Sequence, residues 1–302
     1  MSEVYWLSQA FDMIKRYVAC VQAAFADPHL VRFEMTTNFG CALNAESIID
    51  CLSQKKFYAI PSYQRAYKWD TEHVTRLLSE ICRYYYDSTQ KFQSCVGYDL
   101  TKHAKFIGTV ILVRDEQLKK KIFETGDSEF YAVIDGQQRL TTCYLFYIAL
   151  LNRLYYLSNK IAECIIDKIT YTGNLRNVTD DINDCVKLIE PVLWRASSQF
   201  KPRLGREGID HWGQNIFESP FAILARNLKK LSNYTQNVPL YDSSMAKWKA
   251  AEHLNVDILD RKSVPPNMYN VINAIDAFLD YICYGPTKDL GIDLDLPDDD
   301  EY

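Results

Sequence analysis

The chain has 302 residues and a formal net charge of −5, and 48% of its residues are hydrophobic. This length and composition suit one large globular domain or two small ones with ample core. The uncharged apolar run of 13 residues from Leu140 to Asn152 is too short for a membrane span, which needs about 20. Early charged residues at the N-terminus argue against a signal peptide. We therefore expect a cytoplasmic protein without membrane association.

Charge is unevenly distributed along the sequence. Six of the last ten residues are acidic and none is basic, which leaves 34 basic against 33 acidic residues in the rest of the chain. Residues 55–121 carry 13 Lys or Arg against 7 Asp or Glu. Such a local positive excess suits a phosphate-bearing partner, although a solvated surface of mixed charge produces it more often.

The nine cysteines include no C-x-x-C pair and have no histidines at zinc-site spacing. Cys82 and Cys143 lie at apolar-face positions of predicted helices. We therefore expect reduced cysteines in the core, without a disulfide framework or a zinc site.

The first half of the chain alternates helices with short strands. Asp70 is placed to cap a helix N-terminus, and continuous apolar runs predict strands that helices cover on both faces. In chain order, the predicted elements are helices over 3–26 and 44–54, a strand over 55–60, a helix over 70–87, and strands over 105–113 and 129–134 joined by a hairpin-type connection.

The second half of the chain is predicted to be helical, without strands. The predicted helices cover residues 137–160, 161–196, 216–232, 244–254 and 267–284. The fold class is therefore α+β, a small sheet covered by helices and followed by a mostly α-helical C-terminal region. We expect an N-terminal helical extension over 1–43, a core over 44–160, an α-helical region over 161–292 and an acidic tail over 293–302.

One predicted strand-to-helix junction has the features of an anion site. The segment Asp135–Arg139, Asp-Gly-Gln-Gln-Arg, follows a strand and opens a long apolar helix. Free backbone N–H groups and the helix dipole at such a start favour a phosphate. Gly136 would let the backbone approach it closely, Arg139 would clamp its oxygens, and Thr141 and Thr142 could donate to it. A tight turn that merely starts a helix explains the same residues.

Asp135 and the two glutamines have alternative roles as well. Asp135 would either cap the turn, hold Mg²⁺, or orient a water for attack on a phosphoryl group. Gln137 and Gln138 would position that water or read a base edge.

A second motif follows the strand predicted over 55–60 and reads Ile-Pro-Ser-Tyr-Gln-Arg-Ala-Tyr-Lys-Trp over residues 60–69. Arg65 is the natural second clamp, because two arginines neutralise a triphosphate better than one does. Taken alone, Arg65 is more often a surface residue that covers neighbouring aromatic rings. Tyr63 and Trp69 could stack a base, or could belong to the core.

Together, the two motifs resemble the GmrSD-type restriction family, in its N-terminal, ParB/sulfiredoxin-like domain. The run Phe106–Leu112 matches the family's glycine-bearing strand, and Lys201–Leu204 with Asp210 resembles a later family element. The resemblance extends over residues 44–230.

The resemblance implies an enzyme that binds and hydrolyses a nucleoside triphosphate with Mg²⁺. Turnover would be coupled to sensing modified or foreign DNA, while a nuclease cuts. The residues implied in nucleotide contact or turnover are Asp135, Gly136, Gln137, Gln138 and Arg139. Tyr63, Gln64 and Arg65 would form the facing wall, with Gly108 packed beneath it. Trp69, Lys201 and Arg203 are weaker candidates for contacts to substrate or DNA.

Family members often continue into a His-bearing nuclease domain of the HNH type. His211 has no second histidine or metal-ligand spacing beside it, so we assign it a structural role. We therefore expect a sensor and triphosphatase that acts with a nuclease on a separate or missing chain. Uncharged faces of the C-terminal helices are compatible with a homo-oligomer.

Two other functions stay open at this point. The chain could be a catalytically silent DNA-binding or scaffold protein on a ParB-like core. It could also be a metal-dependent DNA nickase with Asp135 as a metal ligand, although one motif carboxylate is a poor two-metal site.

Overall fold

The computed structural model describes residues 51–52, 56–79, 108–117, 129–166, 172–195, 201–232 and 265–284. The predictions that lie outside these ranges are the helices over 3–26 and 244–254, the connection that contains Lys119–Lys121, Cys82 and the acidic tail. Residues 51 and 52, within the predicted helix over 44–54, are helical.

A small mixed sheet organises the described part of the chain. Its central strand, β1, pairs in parallel with β3 on one side and β6 on the other, and β2 adds antiparallel to β3. β4 and β5 form a separate antiparallel pair. The strands are β1 (Lys56–Ile60), β2 (Ile111–Arg114), β3 (Glu129–Asp135), β4 (Trp194–Arg195), β5 (Lys201–Pro202) and β6 (Leu204–Arg206).

The helices pack around one long central helix. α2 contacts α3, α4 and α5, and its inward side is continuous with the buried face of the sheet. In chain order, the helices are α1 (71–79), α2 (Gln137–Ile166), α3 (Thr172–Leu193), α4 (Pro220–Ser232) and α5 (Pro266–Tyr284). No helix of the described ranges has the length and apolar character that crossing a bilayer requires.

The parallel pairings bring three strand ends to one side of the sheet. Ile60, the last residue of β1, is level with Arg206, the last residue of β6. β3 is parallel to β1 and ends at Asp135. We refer to the side of the sheet formed by Ile60, Asp135 and Arg206 as the carboxyl edge.

Aromatic side chains fill the space between the sheet and the helices. Phe57 and Phe130, register partners on β1 and β3, stack with ring centroids 4.9 Å apart. Trp212 packs edge-on against Phe130 and Phe217 and donates from Nε1 to the carbonyl of Pro202 at 2.8 Å. The indole therefore joins the end of the sheet to the segment that leads into α4.

Several predicted elements are confirmed. β1 and β3 lie where strands were predicted, and α2, α4 and α5 lie within or close to their predicted ranges. The fold is mixed α+β, as predicted. Cys143 and Cys185 are buried and are not in disulfides, and burial raises the pKa of Cys143 to about 12.

The prediction that no strands occur beyond residue 160 was wrong. β4, β5 and β6 contain two or three residues each, too few to show a periodicity, and β6 nevertheless completes the sheet. The single helix predicted over 161–196 is also wrong, because α2 continues to Ile166 and α3 ends at Leu193.

The prediction that helices cover both faces of β2 was also wrong. β2 is the edge strand next to β3, and the side chains of Ile111 and Val113 are 51% and 52% exposed. The strand begins at Ile111, whereas Gly108 to Val110 are not in a strand.

Gly205 of β6 lies against the buried indole of Trp212, which suggests a test of this packing. A Cβ atom at Gly205 would lie 2.5 Å from Cζ2 and 2.6 Å from Cη2 of Trp212. We expect Gly205→Ala to lower the free energy of unfolding by about 1–3 kcal/mol. Trp212→Phe removes both clashing atoms, so the double variant should be less destabilised than the sum of the single variants by about 1 kcal/mol. Urea unfolding of the four proteins measures this difference, and strictly additive costs would contradict the packing.

Candidate functional site

The two sequence motifs meet at the carboxyl edge. The segment of residues 61–70, which we call the motif loop, leaves β1 and leads to α1. β3 ends at Asp135 and passes through Gly136 directly into α2. Open parallel sheets bind their ligands at the carboxyl ends of their strands. The motif loop and the start of α2 therefore lie where such a sheet holds a ligand.

Gly136 is the N-cap of α2, because its carbonyl accepts the first helical hydrogen bond from Leu140 N at 3.0 Å. Its φ is +81°, a left-handed value that favours glycine. A Cβ atom here would lie 2.7 Å from the carbonyl oxygen of Thr109 and 3.0 Å from Cα of Val110. The absence of a side chain at Gly136 thus allows the backbone of Thr109 and Val110 to lie close to it, whereas we had expected a phosphate at this position.

Gln64 and Gln137 connect the motif loop to the junction between β3 and α2. Nε2 of Gln64 donates to the carbonyl of Ile134 at 2.7 Å. Nε2 of Gln137 donates to Oε1 of Gln64 at 3.1 Å and to the carbonyl of Arg65 at 3.0 Å. The predicted wall residue Gln64 and the predicted catalytic residue Gln137 therefore bind each other.

Gln138 holds the other half of the motif loop. Its Nε2 donates to the carbonyl of Ala66 at 3.2 Å, and its Oε1 accepts from the backbone N–H of Lys68 at 2.8 Å. The side chains of Gln137 and Gln138 are both buried. Their amide groups therefore replace solvent as the partners of the loop backbone. Positioning of a water or reading of a base by these residues stays a prediction.

Thr141 and Thr142 are also buried, so the prediction that they donate to an anion is not supported. The Thr142 hydroxyl donates to the carbonyl of Gln138 at 2.8 Å and accepts from the Tyr67 hydroxyl at 2.9 Å. The Thr142 hydroxyl has no further hydrogen to donate. Burial raises the pKa of Tyr67 far above its usual value, so the phenol stays protonated and can donate.

Four charged side chains of the motifs remain exposed. One is Lys68, and the other three are the predicted site residues Arg65 on the motif loop, Asp135 at the end of β3 and Arg139 in the first turn of α2. Within the described part of the chain, none of the three forms a hydrogen bond or an ion pair. No described N–H group donates to the Asp135 carboxylate, so the expected turn cap does not form among these residues.

Gly108 packs beneath Arg139. A Cβ atom at Gly108 would lie 2.8 Å from Cζ and 2.9 Å from Nε of Arg139, and the φ of Gly108 is +113°. The flat guanidinium group therefore rests on the glycine backbone. This contact leaves the charge of Arg139 without a partner among the described residues.

The aromatic side chains of the motif loop differ in their exposure to solvent. Tyr63 is 72% exposed. Trp69 is half-buried against the core, and its ring stacks on His73 at 5.8 Å between centroids. Asp70 is the N-cap of α1, as predicted, and accepts from the N–H of His73 at 3.1 Å. Tyr63 is thus the aromatic ring with a free face for stacking, and Trp69 is largely a packing residue.

Lys201 and Arg203, proposed as weak substrate or DNA contacts, lie within the framework of the fold. Lys201 belongs to β5, which pairs with β4. Arg203 is buried and donates to the carbonyl of Pro191 at 2.6 Å and to that of Lys56 at 3.1 Å. A cation beside the last carbonyls of α3 stabilises the helix end. The role of Arg203 is therefore structural.

The sequence analysis missed Arg206 at the end of β6. Its guanidinium donates to three backbone carbonyls of the motif loop, those of Ser62, Gln64 and Arg65. The only sequence signal is its position two residues after Leu204, because β6 is too short to be recognised as a strand.

The glutamine contacts predict a measurable loss of stability. Gln138→Ala removes two hydrogen bonds to the motif loop, so we expect the free energy of unfolding to fall by about 1–3 kcal/mol. Gln214→Ala is the matched control, because Gln214 is exposed on a turn and should change stability by less than about 0.5 kcal/mol. Chemical denaturation of both variants measures the difference. Equal effects would show that Gln138 does not hold the loop.

One protein family matches most of the chain. Its profile, described as the N-terminal domain of GmrSD restriction endonuclease, matches residues 46–300. The match includes both motifs and the whole of the carboxyl edge. No curated protein matches the chain.

Proposed function

The chain belongs to the family of GmrSD restriction endonuclease N-terminal domains and is therefore a component of a restriction, or phage-defence, system. On this premise, we propose that it binds and hydrolyses a nucleoside triphosphate. Membership of a restriction family suggests interaction with DNA. In this proposal, the carboxyl edge is the nucleotide site, and turnover reports foreign or modified DNA to a nuclease carried by another chain.

The observation that carries the proposal is the pair of exposed arginines at one edge. Arg65 and Arg139 lie 74 positions apart in the sequence, and the contact between Gln137 and the Arg65 backbone brings their motifs together. Neither guanidinium has a carboxylate partner among the described residues. Guanidinium groups bind phosphate oxygens in a bidentate manner, and two of them suit a polyphosphate.

The start of α2 supplies further recognition of an anion. The first N–H groups of a helix have no partner within the helix, and the helix dipole places partial positive charge there. Arg139 lies in this first turn, so its charge and the dipole act on the same anion. Stabilisation of charge that develops on a phosphoryl group is the main contribution a protein makes to its transfer.

Asp135 fits the role of a Mg²⁺ ligand. Its carboxylate is exposed beside the start of α2, and Mg²⁺ is commonly held by one or two carboxylates together with the phosphates of the substrate. When bound, the ion would neutralise phosphate charge. The residues of the chain would contribute the carboxylate of Asp135, the phosphate clamps Arg65 and Arg139, and the ring of Tyr63 as a stacking surface for the base.

Binding of each nucleoside triphosphate with Mg²⁺ tests this function directly. We expect the wild type to bind at least one triphosphate and to release inorganic phosphate from it. Arg65→Ala and Arg139→Ala should each weaken binding by about tenfold to a hundredfold, because a charged hydrogen bond contributes about 1.5–3 kcal/mol. Arg76→Ala, an exposed arginine on α1, is the control and should bind as the wild type does. Calorimetric titration gives the affinities.

The same proteins distinguish the other functions. Salt-sensitive DNA binding without binding of any triphosphate would indicate a silent DNA-binding protein. Plasmid nicking that Asp135→Asn abolishes would indicate a nuclease. An unfolded Arg65→Ala protein would show that Arg65 is structural, so thermal unfolding of each variant accompanies the titrations.

A further inference from the structure

The motif loop is bound by the guanidinium of Arg206, a residue that belongs to neither sequence motif. Arg206 donates from Nη1 to the carbonyl of Arg65 at 3.3 Å, and from Nη2 to the carbonyls of Gln64 and Ser62, the latter at 3.4 Å. One guanidinium therefore binds three carbonyls of a four-residue stretch. A planar group with five N–H donors can do this, whereas the point charge of a lysine cannot reach all three.

The backbone of Arg206 is fixed from two directions. It ends β6, level with Ile60 of β1, and the N–H of the next residue, Glu207, donates to the Ile60 carbonyl at 2.9 Å. The N–H of Arg206 donates to Oδ2 of Asp210 at 2.5 Å. The Arg206 side chain therefore extends from a backbone that is fixed at the carboxyl edge of the sheet.

Asp210 connects this point to α4. Its buried carboxylate also accepts from the N–H groups of Glu218 and Ser219, at 2.8 and 2.9 Å, and from the Ser219 hydroxyl at 2.5 Å. Ser219 is the N-cap of α4, since its carbonyl accepts from the N–H of Ile223. The position of Arg206 is thereby tied to a helix of the core as well as to the sheet.

The Arg65 carbonyl is the point at which these supports meet. It accepts from Arg206 on one side and from Gln137 Nε2 on the other. A carbonyl has two lone pairs, so both contacts can form together. They fix the peptide from which the exposed Arg65 side chain extends, although neither touches its guanidinium.

We propose that Arg206 is a positioning residue of the nucleotide site, which orders the motif loop so that Arg65 is presented to the phosphates beside Arg139. The charge of Arg206 is directed at backbone carbonyls, so its role is distinct from that of the two clamps. This inference rests on the proposed function, because the positioning role requires that a nucleotide bind at the carboxyl edge.

Hydrogen–deuterium exchange of the full chain measures loop order without a nucleotide. The reporters are the N–H groups of Gln64 and Lys68, which are bonded to the Pro61 carbonyl and to Oε1 of Gln138. In Arg206→Ala we expect exchange in peptides that cover residues 61–70 to rise by about tenfold or more, because charged hydrogen bonds to the loop are lost. Exchange in the middle of α2 should stay unchanged. Arg206→Lys, which keeps the charge and the aliphatic stem, should fold normally and give an intermediate increase.

Triphosphate titration of the same variants connects loop order to binding. The affinity should fall by the factor expected from the fraction of molecules with an open loop, with Arg206→Lys between the wild type and Arg206→Ala. Arg76→Ala should change neither loop exchange nor affinity.

The possible results separate this inference from the proposed function. Unchanged loop exchange in both Arg206 variants would overturn the positioning role, as would exchange that rises equally throughout α2. A triphosphate affinity that does not fall by the factor that the measured open fraction requires would also overturn it. If the loop loosens as expected but the wild type binds no triphosphate, Arg206 does order the loop and the proposed nucleotide site is wrong.

Discussion

The structure depends on how the polar backbone of the motif loop is satisfied where it crosses the carboxyl edge. A buried backbone group without a partner costs about 1–3 kcal/mol, so a loop packed against a helix start needs dedicated donors and acceptors. Gln64, Gln137 and Gln138 supply them through their side-chain amides. A glutamine amide can donate and accept at once, which explains why this residue type recurs in both motifs.

The sequence predicted well what local signals determine. β1, β3 and the start of α2 follow from apolar runs and a glycine turn, and the Asp70 cap follows from residue type and position. The two motifs were also expected to share one site, and side-chain amides of each motif bind the backbone of the other. The ParB/sulfiredoxin-like character of the core stays a prediction of the family resemblance.

Long-range contacts were the part that local patterns could not predict. β6 is a strand because β1 offers it a partner, and its three residues carry no periodicity of their own. Gly136 was predicted to let the backbone approach a phosphate, and the group that lies close to it in the structure is the Thr109 carbonyl. Gln137 and Gln138 are polar, as catalytic residues are, but their side chains are buried, as those of structural residues are. Only the fold distinguishes these alternatives.

Three arginines at one edge differ in what surrounds them, and this difference carries the functional argument. The guanidinium of Arg206 faces carbonyl dipoles, which satisfy its donors within the protein. Those of Arg65 and Arg139 face solvent, without an acidic partner among the described residues. Like charges gathered beside a helix N-terminus repel one another unless an anion is present. Hydrogen bonds to the Arg65 carbonyl fix the backbone from which this side chain extends, whereas no described residue binds its guanidinium. Under the proposed function, positive charge placed in this way would favour binding of a polyphosphate, because less of the protein would have to reorganise when the ligand arrives.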